Sequence, residues 1–232
     1  MNQLLTTFFA LAVACVTGLA QAQASAAPTQ QKAASAASDS AKIEAKVAVC
    51  VGCHGIKGYQ ASFPEVYKVP MIAGQSAKYI AAALTEYKRG DRKHPTMRSV
   101  ATPLSDQDIQ EIAAYFEALG KHPAVKLPPT ADKTPSPQVA SLLQKAACVS
   151  CHGPNFAKPI DPSYPKIAGQ HADYLFVALK GYKSDKNPSL GRSNPVMGAI
   201  AKQFSTAELK ALAGYVSSLE GDLKTVPERR FR

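Results

Sequence analysis

The chain has 232 residues, of which 46% are hydrophobic and 19% charged, and it carries a formal net charge of +10 at pH 7. This length suits one large domain or two small ones. The positive charge is spread along the chain and does not form one basic run, which argues against nucleic acid as a partner and favours an acidic protein face or an anionic membrane surface.

Residues 1–24 have the layout of a secretory signal peptide. They contain no charged side chain, and an apolar run from Leu4 to Ala20 ends in small residues with A-x-A spacing. Because this run is short for a membrane span, we predict that segment 1–24 is cleaved and the protein exported. Cys15 leaves a lipoprotein-type acceptor open as an alternative, although Ala12 is a poor match for the usual leucine.

The rest of the sequence contains one duplicated unit. The stretch VCVGCHG (49–55) returns as ACVSCHG (147–153). Three further blocks match in the same order: 71–88 with 166–183, 94–97 with 194–197, and 105–119 with 205–219. Such ordered self-similarity predicts two copies of one small domain, at 40–120 and 137–221.

Three segments lie outside the copies. An Ala/Ser-rich segment at 25–39 is predicted to be disordered, and a Pro-rich segment at 121–136 is predicted to be an extended linker. A basic tail at 222–232 matches neither copy.

Each copy is predicted to contain three main helices, so the fold class is all-α. The first helix runs into the C-x-x-C-H motif, and in the second copy Ser136 and Pro137 suit its cap and first position. The middle helix follows the I-A-G-Q block, with Gly90 as a stop in the first copy. The last helix opens with a capping box at Ser105 and again at Ser205.

The repeated C-x-x-C-H motif predicts covalent attachment of a c-type haem to each copy. A few short helices cannot bury much core alone, and a haem would complete each domain. The cysteines Cys50, Cys53, Cys148 and Cys151 would form thioethers with the porphyrin, and His54 and His152 would be proximal iron ligands. A redox disulfide, or one zinc site built from all four cysteines, would not explain why a histidine follows each pair.

Met97 and Met197 are the predicted distal iron ligands. They occupy the same repeat position, each two residues after a proline, in segments expected to be irregular. His94 is the nearest competitor, but its counterpart is Asn194, which is not an equivalent ligand. We expect Met71 to pack in the core or the haem pocket, and His171 to lie at the surface or cap the middle helix, while His122 lies in the linker. Ligation by His and Met fills both axial positions, which favours electron transfer over binding of oxygen, peroxide or substrate.

With its paired C-x-x-C-H, I-A-G-Q and P-x-M blocks, the sequence resembles the dihaem cytochrome c4 family over residues 40–221. The resemblance implies two tandem cytochrome c-like domains related by pseudo-twofold symmetry, each wrapped around a covalently bound haem c. It implies a periplasmic protein, often membrane-associated, that takes electrons from a quinol-oxidising complex to a terminal oxidase. It also implies His54 with Met97, and His152 with Met197, as axial pairs.

Two other functions remain open on the sequence. The chain could be the cytochrome subunit of a dehydrogenase complex, such as a flavocytochrome sulfide dehydrogenase or an alcohol dehydrogenase, because such subunits share the dihaem design. A dihaem peroxidase fits less well, since it needs an iron with an open position. Five cations near the predicted methionine ligands could steer an acidic redox partner, although solvated surface groups are at least as good an interpretation: Arg92, Lys93, Arg98, Lys186 and Arg192.

Overall fold

A computed structural model of the chain describes residues 27–121, 126–184 and 187–227, with side chains from residue 41 onward. The predicted signal peptide 1–24, His122, Lys186 and the end of the basic tail lie outside the described residues. From Lys42 onward the chain forms one compact unit, separate from the segment that precedes it.

The first helix, α1 (Ala27–His54), ends on the first C-x-x-C-H motif, as expected. It begins inside segment 25–39, for which we predicted no regular structure. The segment is rich in alanine, which has the highest helix propensity of all residues and so favours helix here.

The first copy continues with short strands and three more helices: β1 (Gln60–Ala61), β2 (Tyr67–Lys68), α2 (Ala77–Arg89), β3 (Arg92–Lys93), α3 (Pro95–Ala101) and α4 (Asp106–Leu119). Gly90 ends α2 in the left-handed conformation, with φ 88°. Ser105 forms the predicted capping box with Asp108 at the start of α4. The core of this copy contains Val47, Ile80 and Phe116.

The second copy repeats the order of the helices, with no counterpart of β1 and β2 among its described residues: α5 (Pro137–Ala146), α6 (Val149–His152), α7 (Ala172–Gly181), β4 (Gly191–Arg192), α8 (Pro195–Ala201) and α9 (Thr206–Ser218). Ser136 caps α5 and Pro137 is its first residue, as predicted. Here the first helix is broken before the motif, because Ala147 adopts a left-handed conformation with φ 48°. All described strands are two residues long, so the predicted all-α class is confirmed.

The two methionine segments are helical, and the expectation that they are irregular is wrong. Met97 lies in α3 and Met197 in α8, each a seven-residue helix with proline in its first turn. The side chains of His94 and Asn194 accept the backbone N–H of these methionines. Proline at the first position and a polar cap before it favour helix initiation, which explains why both segments are helical.

The segments between and after the copies pack on the folded unit. In the linker, Ala131 N–H donates to Pro154 O at 3.0 Å, and Leu127 packs on the core of the second copy. In the tail, Leu223 is 4% exposed and Lys224 pairs with Ala73 of the first copy in an antiparallel bridge. The tail therefore runs back from the second copy to the first.

An antiparallel pair of strands, β3 and β4, joins the two copies directly, with Arg92 opposite Arg192. Among the described residues, the first copy has one hydrophobic cluster and the second has two. Within the described residues, none of the helices has the length and apolar character needed to cross a bilayer.

Candidate functional site

The four cysteines of the C-x-x-C-H motifs lie partly buried, Cys50 and Cys53 near the end of α1 and Cys148 and Cys151 at α6, and none of them is in a disulfide. Cys50 and Cys53 are three residues apart on a helix, so their side chains share one face. Burial raises the pKa of Cys50 and of Cys148 to about 11, which keeps both thiols uncharged. In the described residues, no three His, Cys, Asp or Glu side chains are grouped so as to hold a metal ion, so the four cysteines do not converge on a zinc site.

Each motif histidine has a fixed ring orientation. His54 Nδ1 lies 2.8 Å from Pro70 O, and His152 Nδ1 lies 3.0 Å from Pro165 O. A carbonyl oxygen can only accept, so Nδ1 carries the proton and the lone pair of Nε2 is left available. Burial lowers the pKa of both imidazoles, which keeps them neutral. A neutral imidazole with a free Nε2 is the form that ligates iron.

The methionines lie at equivalent places in the two copies. Met97 and Cys50 both pack against the hydrophobic core of the first copy, and Met197 is half-buried in the second. The backbone N–H of Met97 donates to His94 Nδ1 at 3.3 Å, and that of Met197 donates to Asn194 Oδ1 at 2.9 Å. Two different side chains thus do the same capping work, one in each copy.

His94 has both ring nitrogens engaged within the protein. Its Nε2 lies 3.0 Å from Tyr67 Oη, and its Nδ1 accepts the Met97 N–H. The structure therefore uses His94 as a helix cap, and the competing interpretation as an iron ligand loses its support. His171 occupies the N-cap position of α7 without a side-chain cap hydrogen bond.

The donor set of each copy fits a covalently bound haem. Two cysteine sulfurs, a neutral histidine with Nε2 free and a thioether are the groups that such a haem requires. All three kinds of group occur in the same arrangement in both copies, which is what the duplicated sequence predicts.

Arg92 and Arg192 were expected at the solvated surface, and for Arg92 that expectation is wrong, since it is 5% exposed. Arg92 lies over the rings of Tyr79 and Tyr87, at 5.6 and 5.2 Å from their centroids. Arg192 lies over Tyr174 and Tyr182 in the same way, at 5.5 and 5.4 Å. Each arginine also donates to one of its tyrosines, Arg92 to Tyr79 Oη at 3.0 Å and Arg192 to Tyr174 Oη at 3.1 Å.

The arginine pair has little compensating negative charge. Glu86 Oε2 lies 3.4 Å from Arg92 Nε, but that buried Nε makes no hydrogen bond. Burial raises the pKa of Tyr79 to about 12 in spite of the neighbouring Arg92, so this ring stays neutral. The boundary between the copies therefore brings two guanidinium groups together, with the Glu86 carboxylate in ion-pair contact with one of them.

The I-A-G-Q blocks form another direct contact between the copies. Gln170 Oε1 accepts the N–H of Met71 at 3.0 Å, and Gln170 Nε2 donates to Met71 O at 2.9 Å. Gln75 makes the same pair of bonds, at 3.0 and 2.9 Å, with the backbone of Lys166. Both glutamines are 4% exposed.

Sequence reasoning missed the role of the arginines and glutamines, although a signal was present. Arg92 matches Arg192, and Gln75 matches Gln170, within the aligned copies. A polar residue that is identical in the two copies while its neighbours differ indicates a shared structural role, such as a contact between the copies.

Comparison with known proteins gives one family match for each copy. The cytochrome c family model matches twice, at residues 40–120 and 138–220. A curated cytochrome c4 from Stutzerimonas stutzeri is 30% identical over 197 residues, covering 80% of this chain and 91% of the relative. A thiosulfate dehydrogenase electron acceptor from Stutzerimonas stutzeri strain A1501 is 30% identical over 178 residues, covering 73% of this chain and 78% of the relative.

Among solved structures, the cytochrome c4 of Acidithiobacillus ferrooxidans superposes with a TM-score of 0.53 at 28% identity. The match covers 75% of this chain and 99% of that one. Nearly every residue of the solved protein therefore has an equivalent in this chain.

Proposed function

This chain belongs to the dihaem cytochrome c4 family and so has two covalently bound haem c groups, and we propose that it is an exported electron carrier of the periplasm. Its donor is a respiratory quinol-oxidising complex and its acceptor a terminal oxidase or another redox protein. The net positive charge favours acidic faces on these partners and peripheral association with an anionic membrane surface.

The residues that hold the two haems are assigned copy by copy. Cys50 and Cys53 form the thioether bonds of the first haem, with His54 and Met97 as axial ligands. The corresponding residues for the second haem are Cys148, Cys151, His152 and Met197. The observation that carries this proposal is the matched orientation of His54 and His152, whose Nδ1–H groups both donate to a proline carbonyl and leave Nε2 free.

A haem iron with histidine and methionine ligands supplies a one-electron couple with no open coordination position. The protein's own groups keep this arrangement in place. The carbonyls of Pro70 and Pro165 hold each imidazole in one tautomer, and the caps His94 and Asn194 hold the first turn of each methionine helix. Such fixed ligands limit movement when the iron changes charge, which suits electron transfer.

The test is an optical spectrum of the purified holoprotein, ferric and ferrous, before and after addition of carbon monoxide. Two low-spin haems with a far-red ferric methionine band and no carbon monoxide shift are expected. Met97→Ala and Met197→Ala should each remove half of that band, and Met71→Ala is the matched control that should leave it whole. A band of undiminished intensity in either ligand variant would contradict the assignment, and carbon monoxide binding to the wild type would favour peroxidase chemistry.

A second candidate function rests on the similarity to a thiosulfate dehydrogenase electron acceptor. On this alternative, the chain accepts electrons from a dehydrogenase and serves as its cytochrome subunit. Stopped-flow reduction distinguishes the two: the carrier is reduced rapidly by a quinol-oxidising complex, whereas the subunit is reduced rapidly by its dehydrogenase with substrate. Faster reduction by purified thiosulfate dehydrogenase than by the quinol-oxidising complex would favour the second function.

A further inference from the structure

Each motif histidine is connected by hydrogen bonds to a glutamine in the other copy. His54 Nδ1–H donates to the carbonyl of Pro70, at 2.8 Å. The N–H of Met71 belongs to the same peptide group as that carbonyl, and it donates to Gln170 Oε1 at 3.0 Å. One peptide group therefore lies between the histidine of the first copy and a side chain of the second.

The second copy contains the same connection in reverse. His152 Nδ1 lies 3.0 Å from the carbonyl of Pro165, and the N–H of the same peptide group, that of Lys166, donates to Gln75 Oε1 at 3.0 Å. Met71 and Lys166 are equivalent positions with unrelated side chains. The repeated feature is thus the backbone peptide and the glutamine that reaches it.

The two glutamines are held firmly enough to act on these peptides. Gln170 Oε1 also accepts the N–H of His171, at 3.0 Å, and its Nε2 donates to Met71 O. Gln75 Oε1 accepts the N–H of Ser76, at 3.0 Å, and its Nε2 donates to Lys166 O. With 4% exposure, neither amide is exposed enough to exchange these partners readily for water.

A peptide group transmits polarisation from one end to the other. Its C–N bond has partial double-bond character, so donation by the N–H places more negative charge on the carbonyl oxygen. A more negative oxygen is a stronger acceptor for the imidazole Nδ1–H, which makes the opposite nitrogen a more basic ligand. Because the site is buried, these effects are screened less than they would be in water.

We propose that Gln170 tunes the iron of the first copy through the Pro70–Met71 peptide, and that Gln75 tunes the iron of the second copy through the Pro165–Lys166 peptide. This inference rests on the proposed function, in which His54 and His152 are axial ligands. The glutamines are positioning residues that act across the boundary, so the potential of each haem depends on contact with the other domain. A more basic imidazole stabilises ferric iron, so each glutamine lowers the potential of the haem in the other copy.

The experiment replaces each glutamine by methionine, which is similar in size but neither donates nor accepts strongly. The holoprotein is titrated potentiometrically, and proton NMR, which resolves the methyl signals of the two haems, monitors the oxidation state of each haem. In Gln170→Met the ratio of reduced to oxidised iron in the first copy should rise roughly two- to tenfold at fixed potential. The effect is this small because the strengthening of one hydrogen bond by the next is only a fraction of the energy of a hydrogen bond. The second haem should not change. Gln75→Met should show the mirror result, and exposed Gln203→Met is the control.

Each outcome decides the proposal. A crossed pattern, in which each variant shifts the haem of the other copy, supports it. A shift of both haems by either variant, a shift confined to the variant's own copy, or no shift would overturn it. If the methionine variants fail to fold, Gln170→Glu and Gln75→Glu serve, because a carboxylate still accepts the Met71 or Lys166 N–H: each should leave the potential of the haem in the other copy unchanged or lower it, and a raised potential there would overturn the proposal.

Failure of the proposed function has a different signature. The Nδ1 protons of His54 and His152 show large hyperfine shifts in the ferric protein if these histidines are ligands. Loss of the crossed pattern with those shifts present refutes the glutamine role alone. Absence of the shifts refutes the ligand assignment itself.

Discussion

Arg92 lies directly opposite Arg192 in the antiparallel ladder that joins the two copies. Like charges opposite one another in a ladder are normally unfavourable. Here each guanidinium is flanked by two tyrosine rings of its own copy, and this stacking offsets part of the repulsion. The contact between the copies is therefore built on a polar and aromatic arrangement as well as on apolar packing.

Replacement of either arginine by lysine should weaken the protein although the charge is retained. The compact ammonium cannot stack flat between two rings and donate to a tyrosine hydroxyl at the same time. We expect Arg92→Lys and Arg192→Lys each to lower the free energy of unfolding by about 1–3 kcal/mol, measured by urea unfolding of the holoprotein. Exposed Arg89→Lys is the control, and equal stability of all three variants would show that the stacking contributes nothing.

The cap of the first methionine helix should be interchangeable with that of the second. Asn194 accepts the Met197 N–H as His94 accepts that of Met97. His94→Asn should therefore retain most of the stability and the methionine band. His94→Ala should lose about 1 kcal/mol of the free energy of unfolding, since an N-cap side chain contributes roughly that amount. If both variants lost the same free energy of unfolding, the contact of His94 with Tyr67, and not the cap, would be the one that stabilises the protein.

Two glycines offer a matched pair for testing close packing of the I-A-G-Q turn. A Cβ on Gly120 would lie 2.0 Å from the backbone nitrogen of Gly74, whereas a Cβ on Gly214 in α9 would meet nothing within 4 Å. Gly120→Ala should lower the free energy of unfolding by about 3 kcal/mol or more, because backbone would have to shift. Gly214→Ala should raise it by up to about 1 kcal/mol through helix propensity. Thermal and urea unfolding measure both changes, and a neutral Gly120→Ala would contradict the packing.

Acid should weaken the last helix of the second copy. The Glu208 carboxylate accepts the backbone N–H of Ser205 at 2.7 Å, and this bond, with the Ser205 hydroxyl, lowers the pKa of Glu208. A lowered pKa in the folded state means that the stabilisation is present above the unfolded pKa, about 4.3, and is lost as the pH falls through the folded value.

Glu208→Gln should therefore show a shallower loss of stability below about pH 4.3 than the wild type, because glutamine does not titrate. Urea unfolding of the holoprotein at a series of pH values measures the slope. Glu220→Gln is the control and should follow the wild type. Parallel curves for the wild type and Glu208→Gln would show that this capping box does not contribute to acid sensitivity.

Local patterns predicted much of this molecule because the interactions behind them are themselves local. The capping boxes at Ser105 and Ser205, the start of α5 at Ser136 and the stop of α2 at Gly90 all appear where the sequence indicates. The methionine helices were missed although their signal is also local: a polar cap followed by proline. The helix break at Ala147 has no such signal, since left-handed alanine is disfavoured and occurs only where surrounding structure demands it.

By itself, the sequence determined the all-α class, the duplication and the chemistry of the cofactor, because helix periodicity, repeat order and the C-x-x-C-H motif depend on residues near one another in the chain. Only the tertiary structure decided the partners across the boundary. Arg92 meets Arg192, and Gln170 reaches Met71, across about a hundred residues of chain, and each pairing depends on how the two copies dock. Burial and hydrogen bonding at that distance follow from packing, so an arginine expected in solvent is found between two tyrosines.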